Sequence, residues 1–351
     1  MRVRHGGSLP WRQRAAAGDW LGGGSPARIQ SLPRYPRRTL DSTADGAYGV
    51  SVRRGVAVLI ALAAAGCGSS ATGDHEHTAR FKAQRAFRDL RAQVALGPRP
   101  AGSAANHRDA RLIARELRAA GVEGVRIQHP YRNVVGTLRG RSPGTVVVGA
   151  HYDTKDVRGF VGANDGASGV ALLIELAREL PRPLPGPSVA LAFFDAEESR
   201  GSSSSRRAFA RSGDRGSTQY VRYAAAGGRQ GAAPLGDIRA MVLFDMVGDC
   251  RLRIPREATS SRFLYRVFAR AAQAQRGASW PFEGRTEAIL DDQTPFEHAG
   301  VPAVDLIDFR YGPGRPPGRF WHTRADNLRH VCARSLAAVG RPALAAIPRI
   351  R

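Results

Sequence analysis

Thr145-Val146-Val147-Val148-Gly149-Ala150-His151-Tyr152-Asp153 is the stretch whose reading decides the fold. Valines on successive rather than alternate positions are the pattern of a strand covered on both faces, and such strands belong to sheets with helices on either side. The run ends in a histidine and an aspartate, so a central strand delivers His151 and Asp153 at its carboxyl end. The construction recurs downstream, where Val189 to Phe194 delivers Glu197 and Glu198, and Ala240 to Phe244 delivers Asp245. Polar side chains gathered beyond the carboxyl ends of buried strands are what an open α/β sheet produces.

Outward from that core the pattern stays αβ, with no internal repeat. Phe81, Phe87, Leu90 and Val94 recur at helical spacing before the break at Gly97-Pro98, and Ser103 is placed to cap a second helix carrying Leu112, Ile113 and Leu117. Val125 to His129 and Asn133 to Leu138 read as strands. Val170 to Leu180 supplies a helix and Arg182 to Pro187 a proline-rich loop. Further helices are predicted over Thr218 to Ala226, Phe263 to Ala274 and Ser335 to Ile347. The second of these is capped by Ser260 or Ser261, and the last is interrupted by Pro342.

A chain of 351 residues with 42% hydrophobic content has enough apolar surface for an ordinary core. Its formal charge of +23 would ordinarily raise nucleic acid as a partner. Arginine is spread through nearly every segment, however, and Lys82 and Lys155 are the only lysines, so the charge reads as compositional bias and no nucleic acid is expected. Adhesion to anionic surfaces or acidic substrates fits the charge better.

Residues 1–49 are rich in Arg, Gly, Pro and Ser without an apolar period and are expected not to fold alone. Arg53 and Arg54 then precede the apolar run Val56 to Ala65, which ends in Gly66-Cys67-Gly68. The run is too short to span a bilayer but has the length and basic flank of a signal-peptide core, with a short buried helix as the alternative. Small residues before Cys67 resemble a bacterial lipoprotein signal, although Ala64 stands where leucine is usual. The expected organisation is an extension over 1–49, a signal peptide over 50–67, a linker over 68–79 and one catalytic domain over 80–351. Translation beginning near Val50 or Val52 would place the signal at the start. Export permits a disulfide between Cys250 and Cys332, and two unpaired buried thiols are the equal alternative.

His151, Asp165, Glu198, Asp245 and His322 are the residue types of a zinc shell, enough for one ion or for two sharing a carboxylate. Asp165 lies in the glycine-flanked turn Gly162-Ala163-Asn164-Asp165-Gly166, where backbone amides can hold it ionised, or it merely caps the next helix. The adjacent Glu197 and Glu198 repel each other at the end of an apolar strand unless a positive charge compensates. A metal does so by binding one and leaving the other as general acid and base. Asp153 is expected to orient His151 from behind. Asp291-Asp292 forms a second carboxylate pair in which one member can retain a proton.

In order and approximate spacing, HYDT, GANDGASGVALLIELA, FFDAEE, DMVG, DDQTPFEHAGVPAVDLI and FWHTRADN resemble the zinc-dependent aminopeptidase superfamily that includes the animal-type glutaminyl cyclases, over about residues 80–345. The resemblance implies a three-layer α/β sandwich with a twisted, mostly parallel central sheet. In its aminopeptidase members Asp165 would bridge two zinc ions, His151 and Asp245 completing one shell, Glu198 and His322 the other, with Glu197 as base. In its cyclase members one zinc ion is held by Asp165, Glu198 and His322. Glu197 would then carry a proton from an N-terminal glutamine's amine to departing ammonia, while Asp245 and Asp291 form a network beside it.

The Asp291-Asp292 run and the Trp-His-Thr context of His322 favour a cyclase acting on peptide or protein N-termini, anchored to a membrane by lipid at Cys67. Departures are Gln293 in place of histidine, Gly166 in place of serine, and no tryptophan after Glu197-Glu198, which leaves Trp280 or Phe320 to wall the pocket. An exported di-zinc aminopeptidase is the alternative, and an inactive surface binding protein a third reading.

Overall fold

The computed structural model describes residues 80–275 and 280–351, so the expected extension, signal peptide and linker lie outside the described residues. A six-stranded sheet runs in the order β1-β2-β4-β3-β5-β6. Its strands are β1 (Glu123–Ile127), β2 (Val134–Leu138), β3 (Gly140–His151), β4 (Leu184–Phe194), β5 (Ile238–Asp245) and β6 (Ala303–Ile307). β4, β3, β5 and β6 are mutually parallel, while β1 and β2 form an antiparallel edge against β4.

The valine run sits in β3, between β4 and β5, and alternation sends its side chains to opposite faces. Val146 and Val148 join the larger core with α1 (Ala83–Val94), α2 (Ala104–Ala119), α3 (Ala167–Glu179), α6 (Arg262–Gln273) and α8 (Ala333–Ala346). Val147 points the other way, into a smaller core with Tyr220 and Ala224 of α5 (Arg215–Ala225) and Phe296 of α7 (Thr294–His298). Helices on both faces of the sheet make the three layers. Each fully buried valine or leucine stabilises this arrangement by roughly 1.5–3 kcal/mol relative to exposure.

Local signals place the helix starts. The Ser103 side chain accepts from the Asn106 amide and that of Ser261 from the Leu264 amide, satisfying donors left free by the first turns of α2 and α6. Gly169 allows α3 to lie against β5, since a Cβ there would stand 2.1 Å from the Phe244 carbonyl oxygen.

Several expectations are corrected. Pro342 does not interrupt α8, because Leu336, Val339 and Ala343 are buried on either side of it and packing outweighs propensity. The proline-rich segment is strand from Leu184 onward, its pairing with β3 taking register shifts where prolines lack donors. The short strand β6 and the helix α4 (Arg206–Ser212), capped by Ser205, were not foreseen. Cys250 and Cys332 are joined, not free: the adjacent residues Asp249 and Val331 form an antiparallel bridge that brings the two cysteines to a Cα separation of 4.9 Å. Among the described residues no helix is long and apolar enough to cross a membrane.

Candidate metal centre

Parallel strands aim their last residues the same way. His151 ends β3 and Asp245 ends β5, Glu197 and Glu198 follow β4, Asp165 closes the turn before α3, and His322 comes from the loop between β6 and α8. The backbone is bent sharply there, with left-handed φ at Ala196 (58°), Met246 (47°) and His322 (53°). Strain of this kind persists only where surrounding structure holds it. The turn carrying Asp165 is pinned by Asp326, whose carboxylate accepts from the amides of Asn164 (2.7 Å) and Asp165 (3.0 Å) and from the Tyr311 hydroxyl (2.9 Å). Asp165 therefore does not cap α3, whose preceding residue is Gly166 at φ 95°. Its carboxylate turns inward instead.

One Asp165 oxygen faces each histidine. Oδ1 is 3.3 Å from His151 Nε2, and Oδ2 is 3.3 Å from His322 Nε2. His151 Nε2 is also 3.1 Å from Asp245 Oδ1, and His322 Nε2 is 2.9 Å from Glu198 Oε1. Donor atoms on a zinc tetrahedron with bonds of about 2.0–2.1 Å stand roughly 3.3 Å apart. The spacing therefore matches the edges of such a shell, and Asp165 belongs to two of the three three-donor groups among the described residues. Asp165 Oδ2 and Glu198 Oε1 are buried and, although close to His322 Nε2, are not in hydrogen-bond geometry with any protein group. Buried carboxylate oxygens in that condition fit a cation.

The histidines are held from outside. The His322 ring stacks on Trp321 at 3.7 Å, and its Nδ1 lies 2.6 Å from Ser204 Oγ. Asp153 stands behind His151, its oxygen 3.7 Å from Nδ1, where against burial it joins Glu197 in raising the imidazole, and its carboxylate also accepts from the amides of Glu197 (3.1 Å) and Glu198 (3.2 Å). Lys155, one of two lysines in the chain, is fully buried, donates to the Ser199 carbonyl at 2.7 Å and lies 3.7 Å from Glu198 Oε2.

Burial pulls the His322 imidazole down, but the Glu198 and Asp165 carboxylates outweigh it and push it up to about 9. For Asp165 burial acts upward and the two imidazoles win, holding it well below the usual range. Glu197 goes the other way: burial first, then the charges of Glu198, Asp291 and Asp292, push it well above the usual range against the pull of His151. Asp291 is raised by burial, then by Asp245 and Asp214, and Asp292 by burial and Asp291. Glu197, Asp214 and Asp291 gather into a third group, with Asp214 half-buried and the other two buried. Asp214 was missed because its Ser-, Arg- and Gly-rich surroundings carry no local pattern. The fold brings it in through its amide, which donates to the Glu197 carbonyl at 2.9 Å.

Above the carboxylates lies a cavity of about 280 Å³ walled by Ile289, Leu290, Ile307, Phe309 and Trp321. Trp280 and Phe320 do not line it. Trp280 donates to the Leu252 carbonyl, and Phe320 stacks on His330. Gln293 is fully buried and donates to the Ile289 carbonyl, supporting this wall from behind.

Comparison with known proteins bears on the family and the fold. The sequence profile of peptidase family M28 matches residues 133–347. The glutaminyl-peptide cyclotransferase of Bos taurus is 29% identical over 230 residues, 57% of this chain and 61% of that protein. The chain thus spans about three-fifths of the length of the curated relatives it matches. Among solved structures, an Acidobacteriales bacterium glutaminyl cyclase is 31% identical with a TM-score of 0.66, covering 80% of this chain and 99% of that one. A leucine aminopeptidase precursor from Bacteroides thetaiotaomicron is 26% identical with a TM-score of 0.66, covering 78% and 99%. The chain belongs to peptidase family M28, a family of enzymes, and has its zinc-exopeptidase-like fold.

Proposed function

We propose that this member of peptidase family M28 is a zinc-dependent glutaminyl-peptide cyclotransferase, closing an N-terminal glutamine of a peptide or protein to pyroglutamate with release of ammonia. The observation that carries this reading is the company Glu197 keeps. Cyclisation must take a proton from the α-amine and return one to the carboxamide nitrogen, consuming no water. A carboxylate set among buried acids that favour protons is suited to such a transfer. Likeness to solved bacterial glutaminyl cyclases over most of the described residues supports it.

In this reading Asp165, Glu198 and His322 hold the ion, which when bound supplies a Lewis acid to the substrate carboxamide. The apolar walls at Ile289, Phe309 and Trp321 hold the side chain and keep water out. Glu197 accepts the amine proton as the new N–C bond forms and passes it to the nitrogen that leaves. Asp291 and Asp245 hold the hydrogen-bonded network beside that path.

One observation favours a second reading, a di-zinc aminopeptidase. His151 and Asp245 form a second three-donor group through the shared Asp165. Mass spectrometry of a glutamine-initiated peptide incubated with the zinc-loaded protein separates the two. The cyclase removes one ammonia and leaves the chain length unchanged. Loss of the whole first residue would make the protein an aminopeptidase.

We also propose that the protein is exported and anchored by lipid at Cys67. The Cys250–Cys332 disulfide supports this, since such bonds persist in oxidising compartments. Cell fractionation with N-terminal mapping is the check, and a protein recovered in the cytosol with Met1 at its start would refute export.

A further inference from the structure

Glu198 and Ser199 form a thin partition, with the metal-side cavity on one side and a second hollow of about 450 Å³ on the other. This second hollow continues into a third of about 510 Å³, the two sharing Pro130, Tyr131, Arg200 and Arg215. Arg132, Arg200, Arg211, Arg215 and Arg222 line the pair, and no acidic residue lines the third.

Arginine is abundant throughout this chain, so its presence alone would mean little. Two of these guanidiniums are set apart by what they lack. Arg132 Nε and Arg215 Nη1 are buried and have no hydrogen-bond acceptor in the protein. Among the described residues none of the five arginines forms an ion pair within 4.0 Å.

Four acids also line the second hollow, three of them turned to other partners: Glu198 faces His322 at 2.9 Å on the metal side, and Asp195 and Asp153 accept hydrogen bonds. Asp195 accepts from Asn106 Nδ2 (2.9 Å) and the Arg132 amide (3.0 Å), and Asp153 from the amides of Glu197 and Glu198. Asp156 is exposed at the rim. Buried guanidinium N–H groups without acceptors are costly, and a planar donor fork is matched best by the oxygens of an oxyanion.

We propose that this groove is a binding site for a small tetrahedral oxyanion of the phosphate class, held by Arg132 and Arg215 with Arg200 closing over it. The site is distinct from the metal-side cavity yet one side chain away from it. Arg215 Nη2 donates to the Glu198 carbonyl at 3.2 Å, so one guanidinium touches both the anion and the backbone of a metal-facing glutamate.

Calorimetric titration of the zinc-loaded full-length protein with inorganic sulfate and inorganic phosphate, at ionic strength matched with chloride, tests this. Sulfate guards against capture of phosphate by zinc. Both anions are expected to bind saturably, and Arg132→Gln to weaken them about tenfold, the loss of one charge-assisted contact. Arg200→Gln, an exposed substitution that leaves folding alone, is expected to weaken them several-fold. The proposal is overturned by the absence of saturable heat above the chloride control. Affinities unchanged in Arg200→Gln and in a folded Arg132→Gln overturn it equally, because the anion then sits elsewhere on this basic surface or on the metal.

Discussion

Two groups of buried carboxylates stand side by side beyond the sheet, held by opposite means. Around Asp165 each oxygen faces an imidazole, and the carboxylate is kept charged in spite of burial. Around Glu197, Asp214 and Asp291 the neighbours are mostly other acids, with His151 the positive group that acts on all three, and each is pushed upward by burial and by its own kind. Buried carboxyls without a matching positive charge keep their protons. The difference teaches that the residue type does not set the role. The first group sets its carboxylate against imidazoles and the second sets acids against one another, and Glu197 carries the second group to the cavity that the first one lines.

The largest effect that would break this contrast is at its hinge. Asp165→Asn is expected to weaken metal binding by more than about 100-fold, beyond what loss of a residue supporting a ligand costs, and to abolish activity. Elemental analysis showing a full complement of metal in that variant would refute the assignment. Next comes Glu197→Gln, expected to lower kcat by roughly 10²–10⁴-fold while metal content stays at the wild-type level. Substantial turnover by this variant would mean that the protons travel elsewhere.

Smaller effects sharpen the comparison. Asp214 has a folded pKa raised above its unfolded value. The stability it contributes is fully present below the ordinary aspartate range and lost as pH rises toward the folded value. Asp214→Asn should therefore melt above the wild type at pH 8, by roughly the equivalent of 1–3 kcal/mol for a relieved buried group, with the gap closing near pH 4. Equal melting temperatures at both pH values would show that Asp214 carries no such strain.

The smallest effect belongs to an isolated buried acid outside both groups. Burial, helped by the Asp249 charge, raises Asp308 to about 7 against amide hydrogen bonds from Arg253 and Arg310. Its stability contribution should be lost between about pH 4 and 7. Asp308→Asn should flatten the thermal-stability profile across that window by a few degrees and leave it unchanged above; an unaltered slope would argue against the shift.

Legibility in the sequence followed locality. The valine run of β3 announced its strand because both its faces are covered, and each strand end announced the polar residue after it. His151, Asp165, Glu197, Glu198, Asp245 and His322 each follow a local pattern, and the fold brings all six to one place. Asp214 and Lys155 had no such pattern. They reach the site through hydrogen bonds to the 197–199 backbone, a relation that exists only after the chain has closed. Trp280 and Phe320 were reasonable aromatic candidates for the pocket wall, yet Phe309 and Trp321 occupy it, because the path of the loop after β6 decides which rings face inward.

By itself, then, the sequence determined the α/β class, the strands that end at the site and the residue types of a metal centre. Periodicity and strand-end chemistry are written within about ten residues of each other. Only the tertiary structure decided which carboxyl faces an imidazole and which faces another carboxyl. It also decided that Asp153 serves the glutamate backbone as well as His151, and that Cys250 meets Cys332. Charge balance in a buried site depends on separations of 3–4 Å between residues from distant segments, and no local pattern encodes such a distance.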